Sequence, residues 1–355
     1  MRRILTHVAV GCLLIFPACS PAKIAELPRL GAIARGISVS GISSGAYMAG
    51  QFQMAHAKDV AGAAIIAGGP YGCAESAFAG LVVGPAATML NASRAVSGCM
   101  LNAMILWGVP NAHVLADKAR QRSEQGTIDP ISDLVSDRIY VFSGTNDRTV
   151  VPGIVATAVE FYRALGVPQQ QIKFVADLPA GHAFVTESAG GACEVSEKPY
   201  VVDCDYDQAG DLLQHILGPL APPVAKLQGS YLVFDQTPFT RDLGDAGLAQ
   251  HGVVYIPEPC QAGGCRVHVA FHGCAQSRES VGDAFITGSG LARWAEANRI
   301  LVLFPQIAAS KANNPQGCWD WWGYTGRDFL TRSAPQIIAI KRMIDRLAEP
   351  PLEKS

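Results

Sequence analysis

The sequence predicts an α/β protein in which a mostly parallel central sheet is covered by helices on both faces. Short β-branched runs alternate with helical patterns along most of the chain. The composition is 49% apolar against 16% charged, which suits a large buried core and argues against extended disorder. A Gly-x-Ser-x-Gly turn joins a β-rich run to an Ala-rich stretch, as where a strand passes sharply into a helix.

The elements follow in chain order. Residues 36–42 and 60–67 read as buried strands, with a helix over 46–57 between them. Residues 138–143 and 172–178 read as two more strands, separated by a helix over 154–165. The Pro-rich segment from Pro219 to Pro223 is the expected internal seam. Beyond it, 231–234 and 252–256 read as a strand pair, 266–271 and 300–304 as two further strands, and 291–298 and 335–347 as helices. With no repeat, low-complexity tract or Ser/Thr-rich linker, residues 21–355 read as one domain.

The first 20 residues read as an export leader: Arg2 and Arg3 precede an apolar stretch over 8–16, then small residues around Ala18, Cys19, Ser20 and Ala22. That stretch is about half the ~20 residues a membrane span needs, so no span is expected in the mature protein. A retained anchor is one competing reading. Lipid attachment at Cys19 is another, although Phe16 and Pro17 match poorly the residues that usually precede such a cysteine. Lys plus Arg total 28 against 30 for Asp plus Glu, without long runs of either sign. Neither nucleic acid nor an anionic membrane is therefore an expected partner, and a neutral or weakly charged substrate fits best.

Export makes disulfides the expected state of the other eight cysteines. Eight cysteines allow 105 connectivities, and spacing does not select among them. Proximity and motif suggest Cys73 with Cys99, Cys193 with Cys204, Cys260 with Cys265, and Cys274 with Cys318. No Cys-x-x-Cys and no His pair at ligand spacing occurs, so neither a metal nor any other cofactor is expected.

Gly41-Ile42-Ser43-Ser44-Gly45 makes Ser43 the candidate nucleophile. A hydroxyl is a poor nucleophile at neutral pH, so it needs a base, and the base needs an orienting acid. The run over 138–143 ends in a turn that presents Asp147, and the run over 172–178 leads to His182 on a Gly-containing loop. The order Ser43, Asp147, His182 is that of α/β-hydrolases. An Asp at this place also suits a turn closed through its own backbone bonds. Among the other histidines, His7 lies in the leader, His56, His113 and His215 fall in helical stretches, and His251 and His268 flank strands.

A further strand ends in His272-Gly273-Cys274, as in the motif that supplies the second oxyanion amide of lipases and esterases. The expected donors are the backbone N–H groups of Ser44 and Cys274. In the common order this strand precedes the nucleophile strand; here it follows the other motifs. The chain therefore reads as a circularly permuted α/β-hydrolase, its last helix preceding the strand at 36–42 in space.

These motifs together resemble the poly(3-hydroxybutyrate) depolymerases whose catalytic domain has the permuted order. The matching segments are Ser-Gly-Ile-Ser43-Ser-Gly-Ala-Tyr-Met, Gly-Thr-Asn-Asp147-Arg-Thr-Val, Gly-His182-Ala-Phe, Phe-His272-Gly-Cys-Ala-Gln and Gly317-Cys-Trp-Asp-Trp-Trp-Gly-Tyr324. The resemblance implies a serine esterase cleaving a polyester, or its oligoesters, of short 3-hydroxy acids. Extracellular members often append a linker and a polymer-binding domain, and neither is expected here after residue 330. Trp319, Trp321 and Trp322, together with His272, are then expected to contact substrate, with at least one indole lining an apolar cleft. The competing functions are a feruloyl or acetyl esterase on the same machinery and a non-catalytic polymer-binding protein on a hydrolase scaffold.

Overall fold

The computed structural model describes residues 24–75, 82, 84–101 and 109–352. The expected leader and Cys19 lie outside the described residues. In chain order, β1 (Ile37–Ile42), α1 (Ser44–Ala55) and β2 (Val60–Ile66) are followed by α2 (Pro85–Cys99), α3 (Ala112–Glu124), β3 (Arg138–Phe142), α4 (Pro152–Ala164) and β4 (Ile172–Val175). Next come β5 (Phe184–Thr186), β6 (Gly191–Ala192), β7 (Val201–Asp203) and α5 (Gln208–Leu217). Past the Pro-rich segment lie β8 (Ser230–Asp235), β9 (His251–Ile256), β10 (Arg266–Phe271), α6 (Arg278–Val281), α7 (Ala284–Gly288), α8 (Leu291–Asn298), β11 (Ile300–Phe304) and α9 (Pro335–Ala348).

Among the described residues the main sheet has eight strands in the order β4-β3-β2-β1-β10-β11-β9-β8. Pairing is parallel from β4 to β11, and β9 and β8 extend the sheet antiparallel. The sheet passes across the Pro-rich segment without a break, because β1 pairs with β10. All six residues of β1 are buried, as expected of a parallel strand covered on both faces. One face packs Val39, Val141 and Val269 against α1, α4 and α9, while the other packs Ala64, Phe142 and Val302 against α5 and α8. A small sheet, β5-β7-β6, lies apart from these strands.

Two polar side chains inside β1 are satisfied by its neighbour. His268, inside β10 rather than at its end, places Nδ1 2.8 Å from Ser38 Oγ and Nε2 2.8 Å from Ser40 Oγ. Burial pushes its imidazole down to about 3, so it is neutral and serves as a clip between the two strands.

The chain ends of the fold adjoin. Leu30 and Ala32 N–H donate to Leu347 O at 3.1 and 3.0 Å, and Gly31 N–H donates to Glu349 O at 2.8 Å. The end of α9 thus leads spatially into the segment before β1, the proximity that permutation requires. Strand β4 stops at Val175, three residues short of the sequence expectation. The segment beyond it leaves the sheet edge for the His182 loop, where Leu178 O and Ala180 O accept the Thr145 and Asn146 N–H groups.

Candidate active site

Ser43 occupies the turn between β1 and α1 with φ 57° and ψ −122°, a conformation an L-residue seldom adopts. Its N–H donates to Ile66 O at 2.9 Å, which ties the strained residue to the end of β2. The flanking glycines are needed for space, not for positive φ. A Cβ on Gly41 would lie 2.1 Å from Gly45 O, and one on Gly45 would lie 2.3 Å from Phe271 O and 2.5 Å from His272 O. The strained dihedral falls on the serine, and the glycines let α1 start against β1 and the end of β10.

Asp147 and His182 come from the loops after β3 and β4, at the same edge of the sheet as Ser43. Asp147 is fully buried. Its Oδ1 accepts the N–H groups of Thr149 (2.8 Å) and Val150 (2.9 Å), while Oδ2 lies 2.8 Å from His182 Nδ1. One carboxylate thus closes its own turn and orients the imidazole, so both readings of this residue hold geometrically. With an acceptor at Nδ1, the proton resides there and Nε2 is left as the basic nitrogen. The His182 N–H donates to Ser196 Oγ at 2.7 Å, which fixes the loop from the other side.

Ser43 and His182 line one cavity of about 210 Å³ with Gly273 and Cys274. The Ser44 N–H opens α1, among the donors that a helix start leaves without an intrahelical acceptor. At the facing turn the Gly273 N–H goes to Gln276 Oε1 (2.7 Å) and the Ala275 N–H to Gln316 O (2.6 Å), which leaves the Cys274 N–H between them without an acceptor among the described residues.

His272 does not contact the cavity and is corrected as a substrate-binding residue. It is fully buried, and burial pushes its imidazole down to about 4. Its Nε2 accepts the Ile307 N–H at 3.2 Å, so Nδ1 carries the proton and donates to Gly273 O at 2.7 Å. The ring holds the backbone of the turn from behind.

The tryptophan expectation is corrected for Trp319 and Trp321. Trp319 is fully buried, edge-on to Phe271 at 5.0 Å and tilted against His272 at 5.6 Å. Trp321 is buried and stacks on Tyr47 at 4.1 Å beside the Cys73–Cys99 bridge. Trp322 is half-buried against Trp321 and Tyr324. None of the three is among the residues lining the Ser43 cavity. The cause is Asp320, whose buried carboxylate accepts N–H groups from Trp322, Gly323, Tyr324 and Thr325 and coils the segment so that Trp319 and Trp321 point inward.

All four suggested cysteine pairs are disulfide-bonded: Cys73–Cys99, Cys193–Cys204, Cys260–Cys265 and Cys274–Cys318. The last joins the turn facing Ser43 to the Trp-rich segment.

Other residues of the cavity wall went unread in the sequence: Met100, Thr149, Tyr200, Gln276 and Gln316. Thr149 and Gln276 sit in segments already singled out, next to Asp147 and His272. Met100 carried no local signal. It is held there because Tyr47 Oη donates to Cys99 O at 2.6 Å and Val151 N–H donates to Met100 O at 3.0 Å. Among the described residues no cluster of His, Cys, Asp and Glu could hold a metal.

No protein-family model matches the chain. It is 36% identical over 329 residues to a poly(3-hydroxybutyrate) depolymerase of Delftia acidovorans, a match covering 91% of this chain and 62% of that relative, so the chain spans under two thirds of that protein. It is 32% identical over 342 residues to a polyhydroxybutyrate depolymerase of Talaromyces funiculosus, covering 90% of this chain and 92% of the relative. Two solved structures share the fold. A PHB depolymerase with a serine-to-alanine substitution, complexed with R3HB trimer, superposes with TM-score 0.80 at 30% identity, covering 91% of this chain and 99% of the other. The PHB depolymerase of Penicillium funiculosum does so with TM-score 0.79 at 29% identity and the same coverage. The permuted order of motifs, the strained serine turn and this similarity over nearly the whole described chain lead to one conclusion: the chain belongs to the poly(3-hydroxybutyrate) depolymerase family and has its α/β-hydrolase fold.

Proposed function

We propose that the chain is a serine esterase that cleaves poly(3-hydroxybutyrate), or oligoesters of related short 3-hydroxy acids, by two-step acyl transfer. Ser43 Oγ attacks the ester carbonyl and its proton passes to His182 Nε2. The oxygen anion of the tetrahedral intermediate is met by the N–H groups of Ser44 and Cys274. Collapse breaks the ester C–O bond, and the departing alkoxide takes the proton back from His182, leaving a hydroxyl-ended product and an acyl-Ser43. Water, deprotonated by His182, then releases the acid. Asp147 holds His182 in the Nδ1–H tautomer and stabilises the imidazolium between steps.

The observation that carries the reading is the pairing of Ser43 and His182 on one cavity, with His182 Nδ1 bound to the Asp147 carboxylate. The cavity, about 210 Å³, is smaller than the ~300–1,000 Å³ pockets that bury drug-sized ligands. It suits a short length of chain around the scissile ester, with the remainder of a polymer outside. Export belongs to the same proposal: the leader read over residues 1–20 and four disulfides support an oxidising compartment. No helix among the described residues is long and apolar enough to cross a membrane.

The test is hydrolysis of amorphous and crystalline polymer suspensions beside p-nitrophenyl butyrate and methyl ferulate, with Ser43→Ala as control. Clearing of polymer by the wild type, absent in Ser43→Ala, is expected. Turnover of methyl ferulate without release of hydroxybutyrate would overturn the substrate assignment. A folded wild type that a serine-reactive phosphonate does not label would overturn the mechanism.

A further inference from the structure

The geometry points to Gln276 as a positioning residue that locks the oxyanion turn, the cavity wall at Tyr200 and the His182 loop into one rigid unit. The inference rests on the hydrolytic mechanism proposed above.

Gln276 is 1% exposed, and its side chain bridges two separate segments. At one end Oε1 accepts the Gly273 N–H at 2.7 Å. At the other end Nε2 donates to Pro199 O at 3.1 Å and to Tyr200 O at 3.0 Å. Both protons and the acceptor of one amide are therefore used, an arrangement that no ionised or apolar side chain reproduces. Met would leave all three backbone groups without this partner. Glu would set a carboxylate oxygen against two carbonyl oxygens.

Each contact of this amide leads to a different part of the site. The Gly273 N–H belongs to the peptide that enters the turn, and His272 Nδ1–H holds the carbonyl of the next peptide at 2.7 Å. A peptide unit is planar, so fixing Gly273 O on the His272 side directs the Cys274 N–H of the same unit the opposite way. Gln276 and His272 thus determine consecutive peptide planes of the turn that faces Ser43. Tyr200 lines the cavity with φ 58°, a strained conformation for a tyrosine, and its carbonyl also accepts the Phe184 N–H at 2.9 Å. Phe184 lies two residues after His182. The amide of Gln276 therefore connects the turn bearing the oxyanion donor to the loop bearing the base, through a shared carbonyl. A donor and a base that must serve the same tetrahedral carbon gain from being held in one frame, since a displacement of about 1 Å in such a site costs on the order of a hundredfold in rate.

The test compares wild type, Gln276→Met and Gln276→Glu on p-nitrophenyl butyrate, with rates referred to the folded fraction from circular dichroism. Affinity for an alkylboronic acid, which forms a tetrahedral adduct on the serine, is measured in parallel. Both variants are expected to lose about tenfold to a hundredfold in kcat, less than the roughly 10²–10³ lost with an oxyanion donor itself, while KM stays within about threefold. Boronate affinity should fall in step with kcat. A folded variant that keeps kcat and boronate affinity, or one whose loss is confined to KM, would overturn the assignment. Variants that do not fold would overturn it as well, by making Gln276 a residue of the core. Labelling of wild-type Ser43 by a phosphonate decides the mechanism independently, so failure of one reading is not mistaken for failure of the other.

Discussion

Gly273 lies directly over Ser43: a Cβ built on Gly273 would sit 3.4 Å from the Ser43 Cβ, and as far from Ile42 O and Gln276 Oε1. These are ordinary contact distances, whereas a Cβ on Gly45 would penetrate the carbonyl groups of Phe271, at the end of β10, and of His272 just beyond it. Gly45→Ala is therefore expected to destabilise the fold by about 3 kcal/mol or more, at or beyond the upper end for overpacking. Gly273→Ala should fold with a loss below about 1 kcal/mol and still slow ester hydrolysis, because the added methyl narrows the space in front of the serine. Thermal melts and initial rates on a small ester check both. A stable Gly45→Ala protein would contradict the steric account of the turn.

Asp147→Asn separates the two duties of this side chain. The amide oxygen can still accept the Thr149 and Val150 N–H groups, so the turn should survive with a stability change within about 1 kcal/mol. The amide NH₂ then faces His182 Nδ1 and favours the tautomer with the proton on the wrong nitrogen. A fall in kcat of about 10⁴-fold is expected, as in other triads with this change. Near-normal turnover in a folded Asp147→Asn protein would remove Asp147 from the mechanism.

Burial turns the tryptophan substitutions into stability experiments. Trp319→Ala opens a large cavity behind the His272-Gly273-Cys274 turn and should cost about 3–5 kcal/mol. Trp322→Ala, at a half-buried ring, should fold and keep its rate on a small ester. Denaturant melts together with p-nitrophenyl butyrate and polymer assays read both. A Trp319→Ala protein of normal stability that lost only polymer hydrolysis would restore the substrate-facing role.

Two buried imidazoles predict an acid-sensitive fold. His268 and His272 are held down to about 3 and about 4 against 6.5 for the free side chain, in each case by burial. The unfolded chain takes up these protons below about pH 6.5 and the native chain does not, so stability is full above that pH. It declines as pH falls, by about 1.4 kcal/mol per unit for each group, until about pH 4 for His272 and about pH 3 for His268. Replacing His272 by Gln should flatten the acid limb of a stability-versus-pH curve measured by urea melts. An acid limb of unchanged slope would mean that other groups carry it.

The periodic and punctuated parts of the fold were legible in the sequence because they depend on neighbours within a few residues. The strand over 36–42, the turn at Ser43 and the helix that follows combine β-branched residues, the turn glycines Gly41 and Gly45 and an Ala-rich stretch, and each states its own backbone. The Asp147 and His182 loops were legible for the same reason, each a turn signal directly after an apolar run. Tertiary structure decided which way the side chains face. Trp319 and Trp321 turn inward because Asp320 collects the N–H groups of the following residues, a coil no spacing rule announces. His272 is a strut and not a substrate contact because Ile307, 35 residues away, supplies a donor to its Nε2. Met100, Tyr200 and Gln276 reach the cavity from three separate segments, held there by the Tyr47 and Val151 bonds to Cys99 O and Met100 O, the Phe184 N–H bond and the amide bridge of Gln276. Local sequence sets the backbone through short-range sterics and hydrogen bonding, while the cavity wall is set by contacts between segments that only the closed sheet brings together.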